Sequence, residues 1–259
     1  MVDLTVIVPG IRTYNWVRLY ESIFKATNRS WEMIFIGPTA PPVELSDRSN
    51  IKYIKDYGTP IRCQQIGLQM SEGKWITWAA DDGYFLDGSL DIGFNLLDAR
   101  GQDENIVLMG KYFEGDGNES TMSDLHYYRL SSHPCTSSPY IPQEFYILNV
   151  GLVARSLLEK FGGWDCQFEV CPMSYADLAF RLQNAGTEFI VQDEVMFKCS
   201  HMPNDTGDHG PVHFAQLLND EPLYRRIYSS PDCLSRPIPS LDNWKQSPSI
   251  WKRRFHAGT

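Results

Sequence analysis

Two acids stand side by side in "WITWAADDGYFLDGSL", residues 75 to 90, where an aromatic and apolar run meets Asp81 and Asp82. Adjacent like charges at the mouth of a buried strand repel one another. Carboxylate oxygens are also the ligands that Mg²⁺ or Mn²⁺ takes, so a shared divalent cation is one reason to keep the pair. The other reading is a solvated turn, because Asp-Gly, here Asp82-Gly83, is a common turn signal. A third acid, Asp177 in "SYADLAFRL", stands at the start of an apolar helical run. A carboxylate there either caps the helix or serves as a general base tuned by the helix terminus. His201 ends the run "EFIVQDEVMFKCSH", with His209 and His213 close behind. Imidazole suits Mn²⁺ better than Mg²⁺, whereas a lone histidine is more often structural.

The elements that must position these groups alternate from the first residues. "LTVIVP" (4–9) is a short β-branched run that stops at Pro9-Gly10 and reads as a buried strand. "YNWVRLYESIFKAT" repeats apolar residues at helical spacing. "WEMIFIGP" (31–38) and "IKYIKDYG" (51–58) are further strands, the first ending at Gly37-Pro38. "TPIRCQQIGLQMSEG" (59–73) has Pro60 at a helix start and Gly73 past its end. The strand "KWITWAA" then delivers Asp81-Asp82, and a helix follows over about 89–99. Such alternation predicts right-handed βαβ units in an α/β fold, a mostly parallel central sheet flanked by helices. Ligands of open sheets bind at the carboxyl ends of the strands, so Pro9-Gly10, Gly37-Pro38 and Asp81-Asp82 should gather at one edge. After a strand at 106–113 the pattern breaks. Residues 114–143 read as a long functional loop, and a helix is expected over 175–186.

Composition narrows the function classes. The chain has 259 residues, a net charge of −9 and 42% hydrophobic residues, which suits one large α/β domain and argues against a general nucleic-acid binder. Six cysteines lie scattered with no Cys-x-x-Cys pair, so neither a zinc site nor a disulfide framework is expected. "MVDLTVIVPG" carries no signal-peptide pattern, and no window of roughly 18 apolar residues offers a membrane span. A reducing, cytoplasmic setting is expected, with the sequons at Asn28, Asn118 and Asn204 as chance matches.

Three stretches together, "VIVPG…YNW", "IRCQQIGLQMSEGKWITWAADDGYFLDGSL" and "EKFGGWDCQFEV…YADLAFRLQNAG", resemble the glycosyltransferase family 2-like enzymes of GT-A fold over roughly residues 4 to 201. The resemblance implies a Rossmann-like nucleotide-diphospho-sugar transferase that is metal-dependent and inverting. Its donor would be a nucleoside-diphosphate sugar of UDP, GDP or dTDP type, and its acceptor a hydroxyl of a glycan or glycoconjugate. By the same resemblance Asp82 ligates Mn²⁺ or Mg²⁺, and Asp81 bonds the donor ribose or a metal-bound water. Pro9, Gly10, Ile11, Arg12, Gly37 and Pro38 wall the nucleotide. Arg62 and Gln65 lie near the donor, and Gly163 and Trp164 approach and stack on it. Asp177 is the base, and His201 completes the metal site in competition with His209 and His213. The chain departs from the family pattern at Ala80, at Ala176 and in lacking an acid after the second strand. These departures leave two alternatives, a sugar-nucleotide or glycan-binding domain without turnover and a sugar-1-phosphate nucleotidyltransferase. The implied layout is a catalytic domain over 1–210, with a nucleotide-binding half at 1–105 and an acceptor half at 106–210, followed by a C-terminal helix and tail over 211–259. The tail "NWKQSPSIWKRRFHAG" mixes aromatic and basic residues, suiting peripheral contact with a membrane surface or packing on the domain with charges outward.

Overall fold

The computed structural model describes residues 2–115, 124–126, 140, 146–200 and 207–256. β1 (Leu4–Pro9) is buried along almost its whole length between β2 (Trp31–Gly37) and β4 (Trp75–Trp78), and β3 (Ile51–Lys55) lies beyond β2. All three pairings are parallel. Their β-branched and aromatic residues suit a sheet covered on both faces. α1 (Thr13–Ala26) turns Trp16, Leu19, Tyr20 and Ile23 inward, as its spacing predicts, but leaves Phe24 of the same apolar set exposed. α3 (Pro60–Met70) begins as its sequence dictates, with the Thr59 hydroxyl accepting from the Arg62 amide at 3.2 Å and Pro60 in its first turn. Between them lies the single turn α2 (Val43–Ser46).

The second half departs from a mostly parallel sheet. Among the described residues, β5 (Gly83–Phe85), β6 (Ile106–Gly115), β7 (Asp124–His126), β8 (Gly151–Ala154) and β9 (Glu188–Ser200) complete nine strands in the order β3-β2-β1-β4-β8-β6-β9-β5, with β7 paired to β6. The β4–β8, β8–β6, β6–β7 and β9–β5 pairings are antiparallel, and only β6–β9 is parallel in this half. Parallel neighbours require a crossover connection, and the first half supplies one for each pairing. From β4 onward the chain crosses directly to β5 at the far edge, so that regularity ends. β5 is three residues long, too short for any periodicity to announce it.

α4 (Ser89–Asp98), α5 (Arg155–Lys160) and α6 (Cys171–Asn184) flank the sheet. α6 starts four residues before the expected Tyr175, because Val170 is extended and Pro172 is well placed in a first turn. Residues 207–256 run back over the carboxyl edge through α7 (His209–Ala215), a wide π-type turn (Gln216–Asp220), α8 (Glu221–Tyr228) and α9 (Lys252–His256). The expected loop over 114–143 falls almost wholly outside the described residues. Among those residues no helix is long and apolar enough to cross a membrane.

Candidate functional site

The β1 exit and the Asp81-Asp82 turn meet as their positions at the strand ends require. Asp81 is buried, and one carboxylate oxygen accepts the amides of Ile11 and Arg12, each at 2.5 Å. The other oxygen takes the Arg12 guanidinium at 2.6 Å. Asp81 therefore fixes the loop after β1. Pro9, Gly10, Ile11, Arg12, Gly37, Pro38 and Asp81 together wall a cavity of about 90 Å³. The two loops touch closely: a side chain at Gly37 would sit 1.9 Å from the Gly10 carbonyl oxygen.

Asp82 faces the other way, into a neighbouring cavity of about 420 Å³ walled by Trp78, Tyr112, Asn149, Tyr175, His209 and His213, among others. One Asp82 oxygen is 3.7 Å from His209 Nε2 and 3.8 Å from the Arg12 guanidinium. Arg12 so stands among three acids, with Asp208 at 3.1 Å. Burial pulls its pKa down, but Asp81, Asp82 and Asp208 hold it above the ordinary arginine value. For a divalent cation the donor set is Asp82 with His209. Two ligands 3.7 Å apart can share one ion with bonds of roughly 2.1 Å each. Among the described residues no group of three or more His, Cys, Asp or Glu is gathered to hold a metal. The pair therefore fits an ion that draws its other ligands from substrate phosphate and water, the usual habit of Mg²⁺.

The remaining expected site residues lie elsewhere. Asp177 is fully buried on α6 and does not face either cavity. Its carboxylate accepts from Tyr228 Oη at 2.6 Å, from Arg181 Nε at 2.9 Å and from Arg236. Donors fill its lone pairs, so this geometry does not meet the expectation of a free base. The α6 residue that does reach the larger cavity is Tyr175, whose hydroxyl accepts from Gln64 at 2.6 Å. Burial raises the Tyr175 pKa well above its ordinary value. Trp164 is likewise core, packed edge-on to Trp78 with centroids 5.2 Å apart, and cannot stack on a sugar. Gln65 is buried and receives the Trp164 amide at 2.8 Å while donating to the Gly162 and Leu241 carbonyls. Gly163, at φ +65°, is needed because a side chain there would lie 2.3 Å from that Gln65 oxygen. Arg62 binds Asp56 at 3.0 Å and the carbonyls of Trp244 and Ser247, so it anchors the tail and does not line the smaller cavity. His201 lies outside the described residues; His209 is the histidine that the structure sets beside Asp82.

The tail supplies site residues that sequence patterning missed. Asp208, Trp251 and Arg254 close the smaller cavity. Trp251 is buried, donating from its ring to Glu169 at 2.7 Å and from its amide to the Tyr57 carbonyl at 2.7 Å. The mixture of aromatic and basic residues was the available signal, and it pointed equally to a membrane.

No family model and no curated protein matches the chain. Solved structures do. S. aureus TarS aligns over 86% of this chain and 41% of its own length, with a TM-score of 0.54 at 14% identity. TarS 1–349 in complex with UDP aligns over 91% and 71%, with a TM-score of 0.56 at 14% identity. Its complex with UDP-GlcNAc aligns over 81% and 60%, with a TM-score of 0.55 at 14% identity. This is the fold of a glycosyltransferase. The chain spans less than half the length of the first of these TarS structures.

Proposed function

We propose that this chain is a glycosyltransferase of family 2 type, metal-dependent and inverting, which transfers a sugar from a nucleoside-diphosphate donor to a glycan or glycoconjugate hydroxyl. The observation that carries this reading is the back-to-back placement of Asp81 and Asp82 between two cavities. Asp81 organises the smaller, where the loops after β1 and β2 would receive the nucleoside. Asp82 and His209 face the larger, which has room for a sugar and an acceptor. The diphosphate would then lie at the seam. The fold supports the reading, as do TarS structures that contain UDP and UDP-GlcNAc.

Asp82 and His209 would hold Mn²⁺ or Mg²⁺, whose charge neutralises the departing diphosphate. The acceptor oxygen attacks the anomeric carbon opposite the breaking bond to the diphosphate. Its proton passes to His213, a titratable side chain on the wall of the larger cavity. A second reading, a sugar-nucleotide-binding domain without turnover, is favoured by the engagement of Asp177 and by Tyr175 occupying the α6 side of the cavity.

One experiment separates the two. The protein is incubated with UDP-, GDP- and dTDP-sugars, Mn²⁺ and candidate glycan acceptors, and released nucleoside diphosphate is measured alongside donor binding. Release that is lost in EDTA supports the transferase. Binding without release supports the second reading, and absence of binding to every donor refutes both.

A further inference from the structure

α9 brings a second arginine to the smaller cavity. Arg254 lines it beside Asp81, Asp208 and Arg12, yet among the described residues it forms no hydrogen bond through its side chain and no ion pair within 4 Å. The two arginines differ in compensation. Three aspartates surround Arg12 and keep its pKa above the ordinary value despite burial. Burial lowers the Arg254 pKa, and Asp208 and Asp81 only partly oppose this. A guanidinium drawn out of water without a matched anion is costly, and its planar fork of donors fits phosphate oxygens. Preceding neighbours hold the segment down: Trp251 through Glu169 and Tyr57, and Arg253 through Glu169 at 2.8 Å. The fold thus holds a partly compensated cation on the wall of the smaller cavity.

We propose that Arg254 binds the diphosphate of the nucleotide donor, so that the C-terminal segment is a wall of the donor site. The proposal rests on the donor reading above and deepens it.

Calorimetry on the full chain tests this with UDP, GDP and dTDP and with their parent nucleosides, with and without Mn²⁺. For whichever diphosphate binds wild type most tightly, Arg254→Gln should weaken binding by about tenfold or more, the loss of one charge-assisted contact. The parent nucleoside should bind within about twofold of wild type, and Arg254→Lys should recover part of the diphosphate affinity. Lys252→Gln, an exposed neighbour on the same helix, should leave both affinities unchanged. Equal losses for diphosphate and nucleoside would show a packing role and overturn the proposal, as would an unchanged diphosphate affinity. If wild type bound none of the three diphosphates, the donor reading itself would fail. That result is distinct from a wild type that binds while Arg254→Gln is silent.

Discussion

Two clusters in this protein are built from the same parts, buried aspartates and arginines, and they do different things. At the β4 exit, Asp81 and Asp82 meet Arg12 at the boundary between two cavities. Under α6, Asp165 and Asp177 meet Arg236, with Arg181 and Tyr228 closing the remaining positions on Asp177. Burial in that second cluster lowers the Arg236 pKa, but Asp177 and Asp165 raise it above the ordinary value. The clusters differ in how far local donors fill each carboxylate, for Asp165 and Arg236 also line a cavity, of about 770 Å³. A carboxylate filled on both oxygens is architecture. One that faces a cavity beside a histidine can still take a ligand.

Substitutions can break that contrast. Asp177→Ala should have the largest effect, about 3–5 kcal/mol of stability, because it leaves buried arginines without their partner. Denaturant unfolding measures it, and folded protein should still bind nucleotide. Intact stability with abolished transfer would instead return Asp177 to the chemistry. Asp82→Asn should show the opposite profile: unfolding almost unchanged, and Mn²⁺-dependent nucleotide affinity down by about a hundredfold, roughly 2.7 kcal/mol. Titrations with and without EDTA decide this, and an unchanged affinity would remove Asp82 from the metal site.

Asp81→Asn should fall between the two. It strips acceptors from the β1 loop, so about 1–3 kcal/mol of stability and part of the metal-independent nucleoside affinity should be lost together. Loss of one without the other would mean that loop and pocket are separable.

Asp220 sharpens the comparison most gently, because amides and Asn219, and no arginine, satisfy it. Burial raises its pKa from 3.8 to about 6, against the opposing pull of those hydrogen bonds. The folded state therefore holds this proton more tightly than the unfolded chain does. Stability is unaffected below the unfolded pKa and declines as pH rises through the window between about 4 and 6. Asp220→Asn should flatten that decline, read from unfolding curves across the window. Parallel curves would show that Asp220 does not titrate there.

The first half of the fold was legible because local rules agree with one another. β-branched runs, Pro60 and Thr59 at a helix start, and Gly-Pro stops all specify βαβ units, and these bring Pro9, Gly37 and Asp81 to one edge. The second half was less legible. Antiparallel neighbours are set by chain reversals that leave no periodicity, and β5 is too short to carry any. Family-like motifs also misled in one respect. Gly163, Trp164, Gln65 and Asp177 do form connected packing around α6, but beneath the cleft and not within it.

By itself the sequence determined that strands deliver a pair of acids, a glycine-lined turn and an arginine to a common edge, since strand termini and turn chemistry are local properties. Tertiary structure alone decided which acid was filled and which faced a cavity. It also folded a distant tail back so that Asp208, Trp251 and Arg254 became pocket walls. The reason is physical: whether a carboxylate is architecture or a ligand depends on donors supplied from far along the chain, and sequence spacing does not encode where they arrive.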